Sequence, residues 1–211
     1  MAALRGGLLF EAGIIEDSFN LIDDCIDRLA PIDGIFARVT TLIIVKSRNL
    51  AMGCYSLSLD GLAQESGALF RPLMETLEVL IYLAEDPSRA EEAVNRGLPK
   101  AGVIARCING EFKALREHLS ENASHVSLNF DALRHLVDWQ GGRVKTVQPF
   151  NANVLRTNLH VLFAVLLRIS AATVNCVSVA QHEIDSELVS RIEDIRSRGA
   201  QVINASAVGA Q

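Results

Sequence analysis

At 211 residues with 49% hydrophobic side chains, the chain carries ample apolar material for one sizeable core, and extensive disorder is excluded. Only 5% of the residues are aromatic and the apolar content is mainly Leu, Ile, Val and Ala, which favours helices packed on helices over a β-sandwich. A formal net charge of -5 gives no general basic footprint, so sequence-independent binding to nucleic acid is not expected.

The opening "MAALRGGLLFEAGIIEDSF" holds one early arginine and meets Glu11, Glu16 and Asp17 before a long apolar run develops, unlike a secretory signal. A first amphipathic helix is predicted over Leu8 to Leu29, burying Leu9, Ile14, Phe19, Leu21, Ile22 and Ile26. "APIDG" ends it. A second helix, from about Ile35 to Leu59, offers Val39, Leu42, Ile43, Leu50 and Tyr55 to the core and keeps Lys46 and Arg48 on its wet side, with "LDG" at 59–61 as its stop. The third is the stretch "SGALFRPLMETLEVLIYLAED", Ser66 to Asp86. Pro72 makes Arg71 either a cap or the residue beside a kink, and Pro87 closes the helix.

A short acidic segment, Ser88 to Arg96, leads through "GLPKAG" into a fourth long helix over Ala101 to Glu121, on the spacing of Ile104, Ile108, Phe112, Leu115 and Leu119. The pattern then loosens into a short helix around Phe130 to Val137 and a hairpin or extended loop in "DWQGGRVKTVQPF", signalled by Gly141-Gly142 and by Val144 and Val147. The last core helix is predicted over Asn151 to Gln181. Its run from Val161 to Ala180 is nearly apolar enough to span a membrane, yet Arg168 and several Ser, Thr and Asn residues mark it as a core helix. A polar helix over Ile184 to Arg198 follows. The fold expected is therefore all-α: a single bundle of about five long helices, residues 1–202, with a small irregular or hairpin insertion before the last core helix and a weakly ordered tail at 203–211.

Two polar lines stand out. In the third helix Arg71, Glu75, Glu78, Tyr82 and Glu85 share a strip roughly 80° wide on an otherwise apolar surface. In the last core helix Asn153, Thr157, His160, Ala164, Arg168, Ala171, Asn175, Ser178 and His182 share another. Each strip is either the solvent line of its helix or one wall of a common cleft, in which case Arg71 and Arg168 require carboxylates or an anionic ligand.

His118, Glu121 and His125 are metal-ligand types at helical spacing, but Asn122, Ser124 and Val126 fray a helix before His125. No metal or other cofactor is expected. Cys25, Cys54, Cys107 and Cys176 lie far apart without a C-x-x-C pair and read as reduced, mostly buried thiols of a cytoplasmic protein. No phosphate-loop, dinucleotide, nucleophile-elbow or zincin motif occurs in the sequence.

The run "YSLSLDGLAQESGALFRPLMETLEVLIYLAEDP", followed by "LSENASHVS", resembles a group of uncharacterised bacterial all-helical proteins, loosely HEPN-like. Arg71, Glu75, Tyr82, Leu119, Ser120, Glu121 and His125 carry the resemblance. It implies a helical bundle. HEPN nucleases place four to six residues between an Arg and a His, whereas Arg156 and His160 here have three between them. The function expected is a self-associating or partner-binding module, a homo-oligomer with no membrane role, whose polar cleft is formed by Arg71, Glu75 and His125. The alternative is a HEPN-like hydrolase acting on RNA or a phosphate ester, in which arginine holds phosphate and histidine moves protons. Arg71, Glu75, His125 and Arg168 are the catalytic candidates.

Overall fold

The computed structural model describes residues 8–110, 112–119, 137–138, 140–144 and 152–208. Among them the order is α1 (Leu9–Leu29), α2 (Ile35–Leu59), α3 (Ala63–Glu85), α4 (Ser88–Arg96), α5 (Ala101–Cys107), α6 (Lys113–Leu119), β1 (Val137–Asp138), β2 (Arg143–Val144), α7 (Ala152–Gln181) and α8 (Ser186–Val208). The all-α bundle is as expected, with α7 at its centre touching α1, α2, α3 and α8.

The closest helix pair, α2 with α3, rests on small side chains. Ala37, Thr40, Ile44, Ser47, Ala51, Cys54 and Ser58 are the buried positions of α2 along one line, spaced alternately three and four apart as in a coiled-coil seam. Their polar groups are matched across it. Ser66 Oγ donates to the Cys54 carbonyl at 2.9 Å and lies 3.0 Å from Ser58 Oγ, and Thr76 Oγ1 lies 3.0 Å from Ser47 Oγ. Each such buried bond contributes about 1 kcal/mol net and costs more than that if half of it is removed. Because this seam takes the inner face of α2, larger apolar residues are displaced outward: Leu42, expected in the core, is 72% exposed. Arg48, expected on the wet side, instead lies against Asp23 at 2.8 Å and over the Phe19 ring at 5.8 Å.

Helix ends follow local chemistry. After α2 the Leu62 N–H reaches the Leu57 carbonyl at 2.8 Å and Gly61 takes φ +80°, the left-handed stop that a glycine makes inexpensive. The same device overturns one expectation. The fourth long helix is broken after Cys107, because Asn109 and Gly110 take φ 63° and 66° and the Gly110 N–H bonds back to the Ala105 carbonyl at 2.7 Å. Helix resumes as α6. Pro72 lies inside α3, which runs unbroken through it from Ala63, so Arg71 is not a cap. The Gly141-Gly142 hairpin is present, pairing Val137 with Val144 and Asp138 with Arg143. The Asp138 carboxylate accepts the Gln140 and Gly141 N–H groups, each at 3.2 Å. Val147 and the helix expected before Val137 lie outside the described residues.

α8 runs antiparallel to α1 and continues through Val208, into the stretch expected as tail. Asp17 meets Arg198, Asp24 meets Arg191, and Arg28 meets Asp185 and Glu187. Between them Leu188 and Ile195 are buried, and Gly199 lets α8 come down onto the Phe163 ring. The glycines supply opposite predictions. Gly199→Ala places a methyl inside the Phe163 ring and should lower stability by about 1–2 kcal/mol, overpacking outweighing the gain in helix propensity. Gly13→Ala, in α1 with open space around it, should raise stability by about 0.5–1 kcal/mol. Urea denaturation of both variants reads the two signs.

Candidate functional site

Where α3 points its polar strip is set by the seam behind it. At 100° per residue Ser66 and Thr76 each lie about 140° from Arg71, one on either side, so bonding them to α2 turns Arg71 away from α2. The strip then runs under α5 and α6, both of which pack on α3. It is unevenly covered: Glu78 is 1% exposed and Tyr82 is buried, with the Arg89 guanidinium over the Tyr82 ring at 4.2 Å. Arg71 and Glu75 sit at the open end, their side chains 37% and 35% exposed and paired at 3.3 Å.

That open end is one wall of a groove of about 400 Å³. Its other residues are Ala101, Gly102, Ala105, Arg106 and Gly110 from α5 and the turn after it, and Lys113 and Glu117 from α6. Lys113 and Glu117 approach to 3.8 Å. Arg106 is exposed and makes no ion pair with any described side chain. The described lining residues hold three cations and two carboxylates, one net positive charge. The arrangement suits recognition of a polar or acidic group; among the described lining residues no histidine stands ready to move a proton.

The other candidates do not join this groove. Arg168 lies on the outward strip of α7 with Asn153, Thr157, Ala164, Ala171 and Asn175, all exposed, and its guanidinium sits 5.1 Å from the centre of the Phe112 ring; His182, also exposed, falls just past the helix with φ 56°. The two strips therefore do not form one cleft. His125 and Glu121 lie outside the described residues, as does the side chain of His118. Arg106, Lys113 and Glu117 were missed in the sequence because one continuous helix was expected there; the signal was Asn109-Gly110.

A second cluster joins α1, α7 and α8. Glu11, 8% exposed, lies 3.8 Å from Arg156 and shares a cavity of about 10 Å³ with His160, Ile14, Leu159, Phe163, Gly199, Val202 and Ile203. His160 Nε2 is buried there without a hydrogen-bond partner. The space holds no more than about one water. Burial pushes the His160 imidazole below its ordinary range, with Glu11 pulling it up and Arg156 pushing it further down. Burial also raises the thiols of Cys25, Cys54 and Cys176 to about 12, so they are inert structural groups, while Cys107 is exposed.

Comparison with protein-family models, curated proteins and solved structures finds no match to this chain.

His160 gives a pH prediction. Its folded value lies below the unfolded value of about 6.5, so the unfolded state binds more protons between the two. Stability conferred by the neutral imidazole is complete above about pH 6.5 and is lost as pH falls toward the folded value. The wild-type protein should lose more stability between pH 7.5 and 5.5 than His160→Gln does, as read from urea midpoints at each pH.

Proposed function

We propose that this chain is a helical binding module, working by self-association or with a protein partner, and that the groove beside Arg71 and Glu75 is the surface it uses. The observation that supports this most directly is the groove's make-up: five charged side chains and four small residues, open on one side, with both carboxylates already ion-paired. Four free cysteines, three of them buried, fit a cytoplasmic setting.

The runner-up, a HEPN-like hydrolase on RNA or a phosphate ester, draws on the same arginines for phosphate. It also needs a proton-transfer group. His160 lies in a different, nearly closed cavity, and His125 is outside the described residues, so binding is the better-supported reading.

Light scattering should give a dimer or larger species at micromolar concentration, and Arg71→Glu should shift it toward monomer. A monomer mass for both proteins across that range counts against self-association through the groove. The Arg71–Glu75 pair is over one-third exposed, so Arg71→Met should change stability by less than about 1 kcal/mol, against the several kcal/mol expected for a desolvated pair. Chemical denaturation decides between them.

A further inference from the structure

We propose that the groove recognises an acidic segment of a partner polypeptide, with Arg106 as the residue that takes the acidic side chain. This rests on the binding-module reading and adds the chemistry of what is bound.

Charge complementarity points to this occupant. Arg71 is matched by Glu75 and Lys113 by Glu117, so among the described lining residues the cation outside an ion pair is Arg106, exposed on α5. A planar guanidinium in that position presents paired donors to one carboxylate. The groove is net positive on a chain whose formal charge is -5, so its sign is opposite to that of the molecule as a whole. Around Arg106 the surface is low: Ala101, Gly102, Ala105 and Gly110 carry nothing larger than a methyl, and Gly102 opens onto free space. A peptide main chain can lie close there while its side chain reaches the guanidinium.

The same features disfavour other occupants. A nucleic acid would set successive phosphates against Glu75 and Glu117, and its affinity depends on many cations acting together. Small-molecule pockets are mostly apolar and bury their ligand, whereas this groove is open on one side and carries five charged side chains among its described lining residues. The carboxylates of Glu75 and Glu117 in the same lining further select the partner, favouring an acidic residue accompanied by basic or neutral ones.

The probe is a dye-labelled, glycine-rich peptide with two central glutamates flanked by lysines, paired with a twin in which glutamines replace the glutamates. Fluorescence anisotropy with the full chain should show the glutamate peptide binding about tenfold more tightly, the scale of one charge-assisted contact. Overall charge cannot produce this preference, since the glutamine twin is the more positive peptide and the protein is acidic. Arg106→Gln should abolish the preference, Arg106→Lys should keep part of it, and Lys46→Gln, exposed on α2 outside the groove, should leave it intact. Circular dichroism of each variant checks that the bundle is folded. Equal binding of the two peptides, or a preference that survives Arg106→Gln, overturns the proposal. Arg106-dependent binding of a short RNA without the peptide preference would also overturn it, making the groove a phosphate reader. If the peptides fail while Arg71→Glu still alters self-association, the acidic-segment proposal falls and the binding-module reading stands.

Discussion

The seam of small residues between α2 and α3 fixes the rest of the arrangement. Helices approach closely only where side chains are short, and on α2 those positions are Ser47, Ala51, Cys54 and Ser58, all buried. A seam of leucines would hold the pair by apolar area alone and would tolerate rotation. Here the Ser66 hydroxyl meets Ser58 and Cys54, and the Thr76 hydroxyl, 2.7 Å from its own helix's Leu73 carbonyl, also lies beside Ser47; leaving the Ser66 hydroxyl buried and unmatched costs about 1–3 kcal/mol. The polar matches therefore set the rotation of α3 about its axis as well as its position. Everything on the opposite side of α3, including Arg71 and Glu75, faces where it does for that reason.

The attachment of α8 to α1 follows a different division of labour. Its ion pairs are partly solvated, each worth about 0–1 kcal/mol, while burying Leu188 and Ile195 contributes about 1.5–3 kcal/mol apiece. The apolar contacts supply most of the adhesion. The charges supply register: Asp17 and Asp24 stand seven residues apart, as do Arg191 and Arg198, so sliding α8 by one turn would set acids and arginines out of step. Gly199 adds a steric stop, since a Cβ there would stand 2.1 Å from the Phe163 ring and force it to move.

Much of the bundle was legible in the sequence because long helices announce themselves through 3.6-residue periodicity. α1, α2, α3 and α7 lie close to where the apolar spacing put them. What periodicity cannot show is which face wins when a helix has two usable ones. In α2 the small polar line looked neutral and the Leu42 line looked buried, yet close approach and matched hydroxyls put the small line inside. The break after Cys107 was hidden for a related reason: Ile104, Ile108, Phe112 and Leu115 keep helical spacing across it, and all four are buried or partly buried. Core burial can be met by two short helices as well as by one long one. The backbone signal, Asn109-Gly110, was outvoted by the side-chain pattern.

That break is also what gives Arg71 its surroundings. An unbroken helix over 101–121 would keep a single direction along the α3 strip and present Arg106 and Lys113, seven residues apart, on the same face. The left-handed backbone at Asn109 and Gly110 instead separates α5 from α6 and brings Gly110 into the groove lining with Arg106 and Lys113. The strip beneath becomes covered in part, Glu78 and Tyr82 buried and Arg71 and Glu75 open. An arginine in a nearly apolar helix is thus not a core ion pair, its side chain being 37% exposed. It is the part of a polar line that the neighbouring turn leaves uncovered, and its partner Glu75 keeps it aligned along α3 while Arg106, on the facing helix, is left to meet whatever enters the groove.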